Sequence, residues 1–190
     1  MSDQFDMFGS GSGMPEGFRY RPEVLTHEDE RQLAERLATL PFREFEFQGF
    51  LGKRRVVSYG WRYIFDGSGL QEAEPIPDFL LPIRERAAGF GGIAPDALEH
   101  VLLTEYSPGA AIGWHRDRPD FGDVVGLSLL SPARLRFRRK AGAKWERAAI
   151  EAEPRSAYLL TGPARLEWEH SIPAVESLRY SITFRTLRRS

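Results

Sequence analysis

Two residues that can bind a metal ion, His115 and Asp117, lie two positions apart, shortly after a Pro-Gly turn at residues 108–109. In an extended segment the side chains of residues i and i+2 point to the same side. The pair can therefore direct an imidazole nitrogen and a carboxylate oxygen at one point. A His-x-Asp pair alone is more often a hydrogen-bonded pair in a turn, so a metal site needs another ligand from elsewhere in the chain.

The chain contains three further histidines, His27, His100 and His170. His27 stands among acidic residues at a helix start, which indicates a solvated side chain, and His100 lies in a strand-like run, where a surface or capped histidine is more typical. His170 belongs to an alternating segment, residues 166–173, that ends at a proline and predicts a strand. With His170 the set becomes two histidines and one carboxylate, which suits a non-haem Fe(II) site with open coordination positions.

A second segment, residues 179–185, alternates strictly between two faces. One face carries Arg179, Ser181, Thr183 and Arg185, while the other carries aromatic and aliphatic residues. Arginines at both ends of one face suit a dicarboxylate, because the guanidinium fork binds carboxylates bidentately. The alternative is an amphipathic edge strand with solvated arginines.

Taken together, these motifs resemble the AlkB family of Fe(II)/2-oxoglutarate-dependent dioxygenases. The resemblance covers roughly residues 43–187 and rests on four ordered motifs: Tyr106-x-Pro-Gly, His115-x-Asp117, a distant His170, and Arg179-Tyr-x-x-Thr-Phe-Arg185. It implies Fe(II) as the metal, with 2-oxoglutarate and O2 as cosubstrates.

The resemblance also implies a role for each matching residue. His115, Asp117 and His170 would hold the iron. Arg179 would pair with the far carboxylate of 2-oxoglutarate with help from Tyr106, and Arg185 would lie near the metal-proximal carboxylate. Ser181 and Thr104 stand where the family often has asparagine, so these cosubstrate contacts differ here.

Basic and aromatic residues interleave along residues 53–63, where they could grip phosphates and stack a base. The alternative is a hairpin whose aromatic residues fill the core. In AlkB-like proteins residues 43–66 resemble the nucleotide-recognition lid, which favours substrate contact. Asp120 could read a base, since Pro119 occupies a position where base-repair members often have an acidic residue. The candidate substrate residues are Arg54, Arg55, Tyr59, Trp61, Tyr63 and Asp120.

The resemblance implies oxidative demethylation of alkylated nucleobases in DNA or RNA, as in DNA repair, with release of succinate, CO2 and formaldehyde. Three alternatives remain open: the same chemistry on a protein or small molecule, a nucleic-acid-binding module with an inactive metal centre, and a zinc hydrolase. A binding module has no need of a dicarboxylate clamp, and a hydrolase would leave both arginines without a purpose.

Composition agrees with a single soluble domain. The 190 residues contain no cysteine, which excludes a disulfide framework and a thiolate zinc site, and there is no long apolar run or signal-peptide core. We therefore expect a cytoplasmic, non-membrane monomer. The formal net charge is −1, but the basic residues concentrate in the second half, which would attract a polyanion.

These side chains must be brought together by the surrounding elements. Residues 1–17, rich in glycine and serine, predict a flexible tail, and residues 18–190 a single domain. Thr26 predicts a helix N-cap, and a second helix is expected over residues 78–88, with Gly89 near its end. Many short strands separated by turns then predict a mainly β (α+β) fold, a double-stranded β-helix or jelly roll braced by the two helices.

Arginines alternate with apolar residues at Arg134, Arg136 and Arg138. This pattern predicts a strand with one basic face. Two interpretations have about equal support: an edge strand whose charges resist aggregation, and a surface that contacts phosphates.

Overall fold

Thirteen strands and three helices form within residues 13–47 and 50–188, the residues that the computed structural model describes. The strands are β1 (Phe18–Arg21), β2 (Arg43–Phe47), β3 (Phe50–Tyr59), β4 (Trp61–Ile64), β5 (Gly69–Glu72), β6 (His100–Tyr106), β7 (Ile112–His115), β8 (Phe121–Leu129), β9 (Ala133–Ala141), β10 (Lys144–Ala152), β11 (Ala157–Leu160), β12 (Glu169–Ile172) and β13 (Arg179–Leu187). The helices are α1 (His27–Leu37), α2 (Leu81–Gly91) and α3 (Gly162–Leu166).

The strands form two main antiparallel sheets. The larger sheet has the order β1-β11-β8-β13-β6-β3-β2 and the smaller one the order β10-β9-β12-β7, while β4 and β5 form a separate hairpin. A core that includes Phe137 of the smaller sheet and Leu160 of the larger joins the two sheets. This arrangement confirms the predicted jelly roll.

Helix α1 begins as the sequence predicts. The Thr26 hydroxyl accepts a hydrogen bond from the Asp29 backbone N–H (3.0 Å), and the Thr26 backbone N–H donates to the Asp29 carboxylate (2.8 Å). This capping box satisfies donors that the first helical turn leaves open. Leu33 and Leu37 are buried and help to anchor the helix in the core.

Helix α2 differs at both ends from the helix predicted over residues 78–88. A 3₁₀ turn, Asp78–Leu80, precedes it, and the α-helix continues past Gly89 to Gly91. Pro82 is tolerated because it lies in the first turn, where backbone N–H groups lack helical partners. Gly92 caps the helix at its C-terminus, and its φ of +68° is the left-handed conformation that favours glycine.

The two faces of β13 meet different surroundings. Tyr180, Ile182 and Phe184 belong to the core that also contains α1 and α2 residues. The alternate residues point between the two sheets, and Arg179 and Arg185 are buried there. Polar and charged side chains therefore line one side of a central strand, which is the setting of the site described next.

Three further segments differ from expectation. The strand predicted over residues 166–173 is shorter, since β12 spans Glu169–Ile172 and residues 162–166 form α3, where Pro163 suits a first helical turn. Strand β9 lies between β10 and β12 and is not an edge. The expected tail falls mostly outside the described residues, but Glu16 and Gly17 accept backbone hydrogen bonds from Ala164 and Thr161.

The segment expected to form a lid, residues 43–66, contributes β2, β3 and β4, and β3 pairs with β6 inside the larger sheet. Among the described residues, no helix is long and apolar enough to cross a membrane.

Candidate metal centre

Three potential ligands converge where β7, β12 and the loop after β7 meet. His115 and His170 are directly paired across the two strands, and Asp117 follows two residues after His115. The Asp117 Oδ1 atom is 3.6 Å from His115 Nε2 and 3.8 Å from His170 Nε2. All three residues can place a ligand atom within 4.8 Å of the others. The structure thus brings together the complete set of ligands that the sequence predicted.

The orientation of His115 is fixed by its own strand. Its Nδ1 atom lies 2.8 Å from the carbonyl oxygen of Gly113. A proton on Nδ1 donates to this carbonyl and leaves the Nε2 lone pair directed toward Asp117, as a metal ligand requires.

Asp117 is held as an anion. Burial raises the pKa of its carboxyl group, but the Arg185 guanidinium and both imidazoles outweigh burial and hold the pKa well below its usual range. Arg185 Nε donates to Asp117 Oδ2 at 2.6 Å, which leaves Oδ1 facing the histidines.

His170 is held neutral. Burial first, and then the neighbouring His115, lower the pKa of His170 to about 3. A neutral imidazole beside a carboxylate anion is the protonation state that metal binding needs.

A buried arginine that the sequence analysis missed braces the loop carrying Asp117. The Arg165 guanidinium, on α3, donates to the carbonyl oxygens of Gly122 (2.8 Å), Arg118 (2.7 Å), Phe121 (2.6 Å) and Asp117 (3.3 Å). These bonds tie one helix to the whole of residues 117–122. No local sequence pattern distinguishes Arg165 from a solvated arginine.

Arg179 is the residue that fits a dicarboxylate. It is fully buried, its Nε donates to Ser128 Oγ at 2.9 Å, and its guanidinium lies 5.0 Å from the centre of the Tyr106 ring. Its Nη1 atom is buried without a hydrogen-bond partner among the described residues. A buried charged donor of this kind is costly unless an anion meets it. The residues present therefore fit a carboxylate of 2-oxoglutarate.

Small hydroxyl side chains surround the space beside Arg179. Ser181 pairs across the strands with Thr104 on one side and Ser128 on the other, and all three are buried. Ser181 Oγ also lies 3.2 Å from Thr183 Oγ1. The predicted cosubstrate residues Ser181 and Thr104 thus lie on the same sheet face as Arg179 and Tyr106.

Tyr158 adds a further polar group on this face that the sequence analysis missed. Its ring packs against Gly126, where an added Cβ would come within 2.2 Å of Tyr158 Cζ. Burial raises the pKa of Tyr158 to about 12, so its hydroxyl remains protonated and able to donate.

His100 corrects the expectation of a surface or capped histidine. It is only 3% exposed, its ring centre lies 4.5 Å from that of Phe121, and its Nδ1 lies 3.5 Å from Arg185 Nη1. Burial first, and then Arg185, hold the pKa of His100 well below its usual value. A neutral His100 therefore buttresses the arginine that orients Asp117.

Two of the predicted substrate residues gather beside the loop after Asp117. The Arg118 guanidinium lies 3.6 Å from the centre of the Tyr63 ring and donates to the Tyr63 hydroxyl. Phe65 packs edge-on against Tyr63, and Asp120 lies 3.6 Å from Arg118. Trp61, half-buried, begins the same short strand β4.

The other three predicted substrate residues lie elsewhere. The prediction that Tyr59 contacts the substrate is wrong, because the alternation of β3 places its side chain in the core against the helices. The same prediction for Arg55 is also wrong, since Arg55 forms an ion pair with Glu105 at 2.6 Å on that same side of the sheet. Arg54 lies opposite Tyr106 in the register and interacts with its hydroxyl, on the cosubstrate side rather than beside Tyr63.

Comparison with known proteins yields a consistent set of similarities. Residues 17–185 match the family model described as the 2OG-Fe(II) oxygenase superfamily. The chain is 29% identical to an Alkylated DNA repair protein ALKBH8 homolog of Arabidopsis thaliana, over 88% of this chain and 54% of that protein. It is 30% identical to a Probable RNA/DNA demethylase ALKBH6 of Danio rerio, over 56% of this chain and 43% of that protein.

Another relative is the tRNA (carboxymethyluridine(34)-5-O)-methyltransferase ALKBH8 of Mus musculus, 28% identical over 84% of this chain but only 24% of that protein. The chain thus spans about half, or less, of the length of these relatives. A solved structure of OsALKBH1 superposes with a TM-score of 0.66 at 16% identity, covering 90% of this chain and 98% of that one, which shows a shared fold.

Proposed function

Because the chain belongs to the 2OG-Fe(II) oxygenase superfamily, and within it to the AlkB family, we propose that it demethylates alkylated nucleobases in DNA or RNA. The reaction would consume O2 and 2-oxoglutarate. It would release succinate and CO2, and the N-methyl group would leave as formaldehyde. One oxygen atom enters succinate and the other enters formaldehyde.

One observation carries the chemistry: Arg179, a buried arginine with an unpaired donor, lies on the same strand face as Arg185, which bonds Asp117 of the two-histidine, one-carboxylate set. A zinc hydrolase would need the ligands but not Arg179, and a binding module would need neither. Only a reaction that uses both a metal and an anionic cosubstrate accounts for the two features together.

Each residue then has a defined task. His115, Asp117 and His170 would hold Fe(II), which with O2 and 2-oxoglutarate supplies the oxidising power for hydroxylating a methyl carbon. Arg185 keeps Asp117 ionised and oriented through the 2.6 Å hydrogen bond. Arg179 would orient the cosubstrate by its far carboxylate.

The group formed by Tyr63, Arg118 and Phe65 supports a nucleobase as substrate. Arg118 directly follows Asp117 and presents a planar cation on an aromatic ring, and stacked arginine and tyrosine side chains are common platforms for unstacked bases. The names of two relatives, an alkylated DNA repair protein and a probable RNA/DNA demethylase, point the same way. Pro119 favours a second candidate, the same chemistry on a protein or small molecule, because it removes a carboxylate that base-repair members often use.

The test is succinate formation by the purified protein with Fe(II), ascorbate, O2 and 2-oxoglutarate, with and without methylated DNA or RNA oligonucleotides. We expect turnover that an oligonucleotide stimulates, with loss of its methyl group. His115→Ala should abolish iron binding and turnover, whereas His27→Ala, an exposed histidine on α1, should leave both unchanged.

Two outcomes would count against the proposal at different levels. Turnover that no oligonucleotide stimulates would keep the oxygenase but reject the nucleobase in favour of a protein or small molecule. No turnover by folded, iron-loaded protein would reject the oxygenase itself.

A further inference from the structure

The outward face of the four-stranded sheet has an unusual composition. In β9, Leu135 and Phe137 point inward to the core, so Arg134, Arg136, Arg138 and Lys140 point outward. Their register partners on β10 are Glu151, Ala149, Arg147 and Trp145, which share this face because directly paired residues do. Trp114, beside the inward-facing His115, joins them from β7. We call this surface the arginine–tryptophan face: Trp114, Arg134, Arg136, Arg138, Lys140, Trp145 and Arg147.

The arginine–tryptophan face is positively charged and largely unneutralised. Five cations stand against the two carboxylates of Glu151 and Glu169 on the same face, a formal net charge of +3. Within the described residues only Arg138 forms an ion pair, with Glu169 at 2.6 Å. Arg147 lies directly opposite Arg138 in the register, although like charges placed so destabilise a sheet.

On the inward side of β9, by contrast, the basic side chain is neutralised by acidic neighbours. Arg139 bonds two carboxylates, Glu146 at 2.7 Å and Glu167 at 2.5 Å. Neutralisation was therefore available to this strand, and on its outward side the described residues provide it for Arg138 alone. The uncompensated charge outside indicates an anionic partner.

Two indole rings flank one guanidinium on this face. The Arg138 guanidinium lies 4.5 Å from the centre of the Trp114 ring and 4.6 Å from that of Trp145, and Arg136 lies 5.0 Å from Trp114. Trp145 remains 43% exposed. A large indole that is steadied by an arginine and still open to solvent provides a stacking platform for a planar, unpaired base.

The arginine–tryptophan face lies on the reverse side of the strands that carry His115 and His170. Trp114 and Glu169 are the sequence neighbours of the ligands His115 and His170, on the opposite side of the same strands. The distance across the sheet from β7 to β10 is three strand spacings, or about 14 Å. At about 3.4 Å per stacked nucleotide this is the length of about four nucleotides.

We propose that the arginine–tryptophan face binds a single-stranded stretch of the nucleic acid, next to the base that enters the metal centre. The cations would contact phosphates, and Trp145 would stack on an unpaired base. Single strands are favoured over duplexes because only unpaired bases offer a free ring face to the indole. This inference rests on the proposed function for its partner, and it assigns a second contact surface to that partner.

The experiment measures binding of an unmodified, fluorescein-labelled 12-nucleotide single strand by fluorescence anisotropy over a series of salt concentrations. Replacing Arg134 and Arg147 by glutamine (R134Q/R147Q) should weaken binding about 10-fold at low salt and reduce the salt slope, log K against log salt, by about 1.4, since each lost phosphate contact removes about 0.7. Trp145→Ala should weaken binding about 10-fold while leaving the salt slope unchanged.

The matched control removes the same charge from the helix side of the molecule. Arg21 and Arg36 are exposed and rest on the rings of Phe90 and Phe79, so R21Q/R36Q should retain wild-type affinity and slope. Succinate formation without an oligonucleotide should be equal in all of these variants, because none of the substituted residues contacts the metal centre.

Several results would overturn the proposal: no binding of the single strand by wild type, a wild-type salt slope in R134Q/R147Q, equal losses in R21Q/R36Q, or equally tight binding of polyglutamate, which would indicate an acidic protein partner. The strand carries no methylated base and no turnover is needed. The outcome therefore stands whether or not the protein proves to be a demethylase.

Discussion

Arg179 is a fully buried cation with no carboxylate partner among the described residues. Its two visible partners, the hydroxyl of Ser128 and the face of the Tyr106 ring, stabilise a guanidinium but do not neutralise it. An unpaired buried charge costs several kcal/mol of folding stability. Binding of an anionic cosubstrate would offset that cost, so the site itself favours occupancy.

Arg179→Ala should raise the KM for 2-oxoglutarate by roughly 10- to 100-fold, because a charge-assisted hydrogen bond contributes about 1.5–3 kcal/mol. The measurement is the initial rate of succinate formation against 2-oxoglutarate concentration. Arg179→Lys should recover only part of the loss, since an ammonium lacks the bidentate fork. An unchanged dependence on 2-oxoglutarate would remove Arg179 from the cosubstrate site.

Sequence patterns identified the residues that sit on regular elements or in short motifs. His115 and Asp117 are two apart, and Arg179 and Arg185 lie on one face of one strand, so local spacing marks them as candidates and the family resemblance implies their roles. Ser128, Tyr158 and His100 each come from a different strand and reach the site only through sheet register. No spacing along the chain carries that information.

Helix α3 is held directly against the loop at residues 117–122. Arg165 supplies the connection, since its guanidinium hydrogen-bonds four backbone carbonyl oxygens of the loop. Asp117, the one candidate ligand of the three that lies outside a strand, thereby gains a fixed backbone. We regard Arg165 as a positioning residue that acts through Asp117.

Arg165→Ala should weaken metal binding by about 10- to 100-fold, the range found when groups that orient metal ligands are removed. Calorimetric titration with Mn(II), a stand-in that resists oxidation, measures this without turnover. Arg116→Ala is the matched control, because Arg116 is exposed and donates to a single carbonyl, that of Leu166. Equal metal affinity in wild type and Arg165→Ala would show that the brace serves the fold alone.

Elements with a clear period were predicted well, whereas elements set by tertiary contacts were not. The alternation in β13 and the capping box of α1 are both local signals. The five-residue α3 is too short to show a helical period. In β3, alternation does not decide which side meets the helices, and it was the resemblance to a nucleotide-recognition lid that favoured substrate contact for Tyr59 and Arg55.

Across the whole molecule, the side of the large sheet that faces the small sheet buries arginine, serine, threonine and histidine side chains beside an apolar core that includes Val124 and Leu160. The fold therefore holds several ionisable side chains in the space between its two sheets. Their protonation couples to folding, because unfolding returns each of them to water.

His100 should make stability fall in acid. Its pKa is lowered in the folded state by burial and then by Arg185, whereas in the unfolded chain it returns to about 6.5. The unfolded state then binds the extra proton, so this contribution is fully present above pH 7.5 and is lost as pH falls below about 6.5, by at most about 1.4 kcal/mol per pH unit. Urea unfolding at pH 7.5, 6.5 and 5.5 measures it.

His100→Gln should flatten that dependence relative to wild type, whatever its effect on stability at pH 7.5. The comparison uses the difference between the two pH profiles, which removes the contribution of His170. Parallel profiles would mean that His100 does not couple protonation to folding.

Within the part of the chain that the structure describes, strand β7 is a four-residue edge strand whose one neighbour is β12. Short edge strands of this kind open first in local unfolding. A metal ion bound by His115, Asp117 and His170 would join β7 to β12 by coordination bonds in addition to their hydrogen bonds. Chelation should therefore accelerate amide hydrogen exchange in β7 more than in β13. Because Trp114 belongs to β7, local opening of β7 would also disturb the arginine–tryptophan face on the other side of the sheet. Loss of iron should therefore lower the affinity of that face for a nucleic-acid strand.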